Sequence, residues 1–327
     1  MITIFYGTRP EYIKLYKLYT EIKNANVDCE LVKVQQHTSL IDDCKFDRII
    51  SLDQGKNRLN AVIKNCLSDF IFSPETRLVI VQGDTATAFG IALNAFNSNI
   101  PVAHIEAGLR TWDNANPYPE ESYRRCISSI AKYHFCVTEF NKQTLLQEKV
   151  QGNIYVVGNT VLDNLSKEGN RYGNIIPITL HRRENKKVIN DILIYLDNLS
   201  LSYPHLSFVY IKHPAVELDH LPINLKILSP QPHDKLILLL KESRFVITDS
   251  GGIQEEASFF GKKTIVFRKE TERQEGLETF SFLAPTKELI KEYIKKFDHD
   301  YELSLPCPYG SGNTVKKIVS HIKEFYV

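Results

Sequence analysis

Short β-branched or aromatic runs alternate with amphipathic helical stretches through nearly the whole chain, and that alternation leaves few folds open. A strand, a helix and another strand in succession form a parallel pair with a crossover, so the pattern predicts parallel sheets covered by helices on both faces. Strands are expected near Thr3–Tyr6, Leu31–Val34, Leu78–Val81, Val102–Ile105, His134–Val137 and Tyr155–Val157. A second series is expected near Ile176–Leu180, Phe208–Ile211, Lys226–Leu228, Phe245–Thr248 and Thr264–Phe267. The polar stretch Leu165–Gly173 separates the two series and marks a domain boundary. The expectation is an α/β protein of two domains sharing one cleft, 1–166 and 167–310. A terminal helix over 311–327 follows, carrying Val315, Ile318, Val319, Ile322 and Phe325 at helical spacing.

Composition narrows the function. The 40 Lys+Arg and 39 Asp+Glu leave a formal charge of +1, so nucleic acid and anionic membrane are not expected partners. At 327 residues and 43% hydrophobic, the chain can fill a core in each of two domains. The opening run Met1–Tyr6 has no basic flank and stops at Gly7, which reads as a buried strand and not a signal peptide. Six cysteines without C-x-x-C spacing fit buried, reduced thiols in a cytoplasmic enzyme. No H-E-x-x-H or similar histidine cluster points to a metal, and Gly310-Ser311-Gly312 follows no strand, so it is not a dinucleotide fingerprint. Trp112 and Tyr118 flank a loop and are expected to pack.

In open parallel sheets ligands bind at the carboxyl ends of strands, so the segments just after each strand carry the candidate chemistry. Gly7-Thr8-Arg9-Pro10-Glu11 places Arg9 at a helix start, where a cation is disfavoured; it is either a solvated side chain or a clamp on an anion bound there. Asp84 follows the third predicted strand and Glu106 the fourth. Asp84 reads as a helix N-cap or as a site acid, whereas Glu106, emerging straight from an apolar strand, would be costly to bury unpaired. In Pro119-Glu120-Glu121-Ser122-Tyr123-Arg124, Glu120 and Arg124 share a helix face, as a stabilising ion pair or as a third acid oriented by its arginine.

The second half offers two anion-binding elements. Thr179-Leu180-His181-Arg182-Arg183-Glu184-Asn185 is read as opening a helix with cations that a phosphate would offset. Asp249-Ser250-Gly251-Gly252 starts a helix with bare amides suited to a diphosphate, and Glu256 lies one turn along, placed to accept from ribose hydroxyls.

Together these segments resemble the non-hydrolysing UDP-N-acetylglucosamine 2-epimerases. The match runs through G-T-R-P-E, Gly83-Asp84-Thr85, His104 to Thr111, Pro119-Glu120-Glu121, Gly158-Asn159-Thr160-Val161, His181 to Asn185, Thr248 to Glu256, Thr271-Glu272-Arg273 and Pro308 to Gly312. The resemblance implies two Rossmann-like domains in the glycosyltransferase-B architecture, a UDP-sugar in the cleft, a last helix crossing back to the first domain, and a homodimer. It implies that Ser250, Gly251 and Gly252 hold the diphosphate with Arg9 and His181, Glu256 the ribose, Gln231 to Leu236 the uracil, and that Arg273 adds charge on the nucleotide side. Arg182 joins the substrate-binding set. Lys14, Asp84, Glu106, Glu120 and Arg124 would surround the sugar, with Asp84, Glu106, Glu120 and His181 catalytic. Tyr123, Ser258 and Gln274 depart from the family's usual Asn, Pro and Pro. Ser39, in Gln36–Asp42, stands where many members carry a longer polar side chain beside a second, activating UDP-sugar, which argues against substrate activation here, although Arg58, Arg182 and His213 keep charge there.

The implied reaction needs no metal or nicotinamide. C2 of an acetamido sugar is not adjacent to a carbonyl, so its proton becomes labile only when UDP leaves C1, giving 2-acetamidoglucal; reprotonation from the other face and return of UDP complete the epimerisation. Competing readings are a hydrolysing 2-epimerase releasing N-acetylmannosamine, an epimerase for a modified UDP-2-acetamido sugar, a glycosyltransferase, and a silent UDP-sugar-binding regulator.

Overall fold

Every predicted strand finds a parallel neighbour. The computed structural model describes residues 1–35, 44–51, 55–68, 71–182, 185, 187–214, 216–219 and 221–326. Gln36–Asp42 with Ser39, and Arg183 and Glu184, lie outside the described residues. Strands β1 (Ile2–Tyr6), β2 (Cys29–Gln35), β3 (Arg48–Ser51), β4 (Leu78–Gln82), β5 (Val102–Ala107), β6 (Tyr133–Cys136) and β7 (Asn153–Val156) form a seven-stranded sheet in the order β3-β2-β1-β4-β5-β6-β7. Strands β8 (Ile175–Thr179), β9 (Ser207–Ile211), β10 (Lys226–Leu228), β11 (Val246–Thr248), β12 (Thr264–Val266) and β13 (Ser281–Leu283) form a six-stranded one in the order β10-β9-β8-β11-β12-β13. The expected α/β class, with two parallel sheets, is borne out.

The chain separates into two units, Met1–Leu165 with Gly310–Val327 and Ser166–Tyr309. In the first unit α1 (Arg9–Asn24), α2 (Arg58–Cys66), α3 (Ala86–Asn97), α4 (Glu120–Ile130) and α5 (Glu139–Gln147) are crossovers. The second carries α6 (Ile189–Ser200), α7 (His233–Lys241), α8 (Gly251–Phe259) and α9 (Lys287–Phe297), and α10 (Thr314–Tyr326) belongs again to the first.

Apolar burial on both sheet faces fixes these layers. Ile2 and Ile4 pack with Leu15, Leu18 and Ile22 of α1 and Val315, Ile318 and Ile322 of α10, while Phe5, Val79 and Val81 pack with Ile91, Ala92 and Ala95 of α3. In the second unit Ile178, Tyr210, Ile247 and Ile265 meet Leu193 and Leu196 of α6 and Ile290, Ile294 and Phe297 of α9. Each Val, Leu, Ile or Phe among them contributes about 1.5–3 kcal/mol by leaving water. Asp163 docks α10, its carboxylate accepting from the amides of Thr314 (3.1 Å) and Val315 (3.0 Å) while burial raises its pKa. Gly310, at φ 123°, lies where an added Cβ would come within 3.3 Å of Gly158 Cα. The Gly158–Val161 and Pro308–Gly312 motifs thus meet at this docking point.

Each sheet reverses its strand order once, at β1/β4 in the first and at β8/β11 in the second. Such switch points open a crevice at the carboxyl ends, and the segments after these four strands are those singled out above.

Three expectations need correction. β3 and β13 were not anticipated: both are edge strands, β3 half exposed with Ile49 at 42%, and β13 only Ser281–Leu283, so neither carries a strong apolar run. Trp112 and Tyr118 do not pack; they are 56% and 67% exposed. Cys126 is exposed and Cys307 partly so, although burial pushes the Cys66 and Cys136 thiols up to about 12, as inert structural thiols require. Among the described residues no helix is long and apolar enough to cross a membrane.

Candidate active site

The first switch point is tied together by a residue that sequence reasoning left without a role. Thr8 caps α1, and Glu11 completes the capping box. The buried Glu11 carboxylate accepts from Gly7 N (3.0 Å), Thr8 N (2.7 Å), Thr8 Oγ1 (2.7 Å) and Thr85 Oγ1 (2.7 Å), joining the turn after β1 to the turn after β4. Burial raises its pKa, and the bonds from Thr85, Thr8 and Gly7 oppose that rise. Arg9 is the first residue of α1 and exposed, with Pro10 second.

Asp84 is not the N-cap. Thr85 caps α3, its hydroxyl accepting from Ala88 N at 3.1 Å, and Asp84 is free to turn to Arg124 of α4, which donates through Nε (3.0 Å) and Nη2. The turn before it uses Gly83 at φ 70°, whose carbonyl accepts from His104 Nε2 at 2.8 Å. Burial pushes the His104 imidazole down to about 3, so it is neutral, and because a carbonyl only accepts, Nε2 carries the proton.

Glu106 sits at the end of β5 with φ 66°, where the β5–β6 register shifts between Ile105 and Ala107. A bulge re-aims a side chain, and a left-handed glutamate costs about 1–2 kcal/mol, strain held by what surrounds it. Here Lys14 Nζ of α1 and Gln82 Nε2 of β4 both donate to Glu106 Oε2. The expectation that Glu106 would not be buried unpaired therefore holds: it is 7% exposed and ion-paired. Glu120 is the first residue of α4 and half-buried. Arg124 Nη1 donates to Glu121 Oε2 at 3.2 Å, so the arginine spans Asp84 and Glu121, an acid that sequence reasoning did not single out.

In the second unit Ser250 caps α8 without a side-chain bond to its first-turn amides, and Gly251 and Gly252 follow. A Cβ on Gly251 would lie 2.8 Å from Glu272 Oε1 and 3.0 Å from Arg273 Cζ, whereas one on Gly252 would meet only Ser250 Oγ at 4.0 Å. A Cβ on Gly251 would press on the ion-paired ends of Glu272 and Arg273, whereas Gly252 leaves the helix amides open. Glu256 Oε1 accepts from His233 Nε2 of α7 at 2.7 Å, while Oε2 is buried with no partner among the described residues.

Asp249 organises the turn after β8. Its buried carboxylate accepts from His181 N (3.0 Å), Arg182 N (2.9 Å) and Asn185 Nδ2 (2.9 Å), and its carbonyl from Arg182 Nε (2.9 Å). Among the described residues α6 begins at Ile189, and this carboxylate occupies the amides of His181 and Arg182, where the sequence suggested room for a phosphate. His181 stacks on His213 with centroids 4.7 Å apart. Arg273 points into its own unit, donating to Glu255 Oε1 (2.9 Å) and Glu272 Oε1. Gln231 is half-buried and bonds Ser229 O at 2.8 Å, and Leu236 is half-buried in α7.

The first unit thus brings Lys14, Asp84, Glu106 and Arg124 into ion pairs at one switch point, and the second gathers Ser250, Gly251, Gly252 and His181 around another. Among the described residues no group of three or more His, Cys, Asp or Glu could hold a metal ion.

A family model described as UDP-N-acetylglucosamine 2-epimerase matches residues 21–323. The chain belongs to this family. A UDP-N-acetylglucosamine 2-epimerase of Campylobacter jejuni is 34% identical, covering 98% of this chain and 96% of its own. The crystal structure of the Neisseria meningitidis enzyme bound to UDP-GlcNAc is 30% identical, with a TM-score of 0.84 and 99% of each chain covered. The Methanocaldococcus jannaschii enzyme in complex with UDP-GlcNAc and UDP is 27% identical, with a TM-score of 0.83 over 99% of each chain. The expected family is therefore borne out, and Glu11, Glu121, His233 and Asp249 join the residues to be explained in this epimerase.

Proposed function

We propose that this epimerase interconverts UDP-GlcNAc and UDP-ManNAc by eliminating UDP across C1–C2 and adding it back. The C1–O bond breaks with its electron pair going to the β-phosphate, the C2 proton goes to a carboxylate, and C1=C2 forms. Reprotonation of C2 from the other face and return of the phosphate oxygen to C1 give the epimer.

The observation that carries this reading is the pair of carboxylates, Asp84 and Glu106, at the ends of adjacent strands, each held by a cation from a different helix. Positioned acids of this kind contribute about 10²–10⁴-fold. In this reading Glu120 completes the acid set, and Lys14 and Arg124 fix the geometry and stabilise charge. Ser250, Gly251 and Gly252 take the diphosphate with Arg9, Arg182 and His181, which stabilises the leaving group as charge develops. The unpartnered Glu256 Oε2 supports a ribose-accepting role, Gln231 and Leu236 flank uracil, and Arg273 steadies the loop behind Gly251 through Glu255 and Glu272. We infer a homodimer, to be read by analytical ultracentrifugation, and a cytoplasmic enzyme, for which the free thiols speak.

The test follows C2 of UDP-GlcNAc by NMR in D2O. Deuterium entering both intact UDP-sugars is expected. Free N-acetylmannosamine with UDP, or no exchange at all, would overturn the proposal.

A further inference from the structure

The Glu121 carboxylate has no part in the chemistry just described, yet it is fully buried and holds three donors. Oε1 accepts from Trp112 N at 3.2 Å, and Oε2 accepts from Thr111 N at 2.9 Å and Arg124 Nη1 at 3.2 Å. The remaining nitrogens of the same guanidinium, Nε and Nη2, donate to Asp84. A guanidinium is planar and rigid, so a rotation that changes its grip on one acid changes its grip on the other.

Trp112 has φ 65°, a conformation in which a bulky residue is strained. The residue is 56% exposed, so packing does not impose that backbone; the bond from its N–H to Glu121 holds it. Thr111 Oγ1 donates to Asn116 O at 2.6 Å and Glu121 N to Pro117 O at 3.1 Å, so the loop and the first turn of α4 form one piece. We propose that Glu121 is a positioning residue coupling the Thr111–Trp112 turn to Asp84 through Arg124, so that a sugar engaging Asp84 is felt at Trp112.

This deepens the epimerase reading and rests on it for its kinetic half. The chain has one tryptophan, so emission excited at the red edge of the indole band, beyond tyrosine absorption, reports on this turn alone. In the parent enzyme, saturating UDP-GlcNAc, with saturation fixed by calorimetry, is expected to shift Trp112 emission or its acrylamide quenching, and UDP, which has no sugar, to leave both unchanged. A silent Trp112 at saturation overturns the coupling without any variant having to fold. Glu121→Gln keeps the side chain's size and one oxygen for the amides but cannot neutralise Arg124. It is expected to lower kcat about 10–100-fold with KM changed less than about threefold, to leave UDP affinity unchanged, and to abolish the ligand-induced emission change. Glu121→Asp, which restores the charge, is expected to recover most of kcat. Parental kcat and parental emission response in Glu121→Gln overturn the proposal. Emission that responds to UDP-GlcNAc while no C2 proton exchanges would sink the epimerase reading and leave the coupling standing; exchange with a silent Trp112 would do the reverse.

Discussion

The two switch points are built from the same strand–turn–helix parts but satisfied in opposite ways. At β1/β4 the polar groups are acids, and each is already met by a cation or a ring of donors: Asp84 by Arg124, Glu106 by Lys14 and Gln82, Glu11 by two turns. At β8/β11 the acid Asp249 is used up on the backbone of the facing turn, while the start of α8 has no side-chain cap and Glu256 keeps a buried oxygen without a partner among the described residues. The carboxylates proposed to move protons, Asp84 and Glu106, are held in place beforehand, whereas the groups proposed to receive a ligand are left with capacity to spare.

That contrast can be broken most sharply at the acids. Asp84→Asn and Glu120→Gln are each expected to lower kcat about a hundredfold or more while UDP affinity by calorimetry stays within about twofold. Equal losses in both quantities would erase the division of labour. The glycine pair sharpens the other side. Gly251→Ala, crowded by Glu272 and Arg273, is expected to lose about 1–3 kcal/mol of stability in urea, whereas Gly252→Ala keeps its stability but binds UDP about tenfold more weakly.

The third effect is a pH dependence. Burial holds the folded His104 pKa at about 3, below its ordinary value, so its contribution is complete above the ordinary histidine range and is lost as pH falls toward 3. His104→Asn, which can still donate to Gly83 O, should flatten the acid limb of the stability curve by up to about 1.4 kcal/mol per pH unit. The smallest effect is expected from Trp112→Gly, where relief of the left-handed backbone gives a gain of about 1 kcal/mol or less in denaturant unfolding.

Legibility followed the physics of each signal. The central strands were readable because burial on both faces demands an apolar run; β3, half exposed, and β13, only Ser281–Leu283, were not. Asp84, Glu106 and the glycines of α8 stood out because acids after strands and glycines at a helix start are locally anomalous. Glu121, an acid in a helix's first turn, is locally unremarkable, and Asp249 was overshadowed by the glycines that follow it; only the folded chain shows the donors they collect. Arg124 was assigned to the Glu120 side from helical spacing, and the structure adds Glu121 and Asp84, a partner forty residues away that spacing could not supply.

The position of α10 bears on synthesis. Because that helix lies after the whole of the second unit in the chain yet supplies Val315, Ile318 and Ile322 to the core of the first, a ribosome must deliver Ser166–Tyr309 before the first unit can seal. The nascent first unit therefore waits with an apolar face of β1 and α1 uncovered while its neighbour is being made, a window in which a chaperone could act and from which the neighbour is exempt.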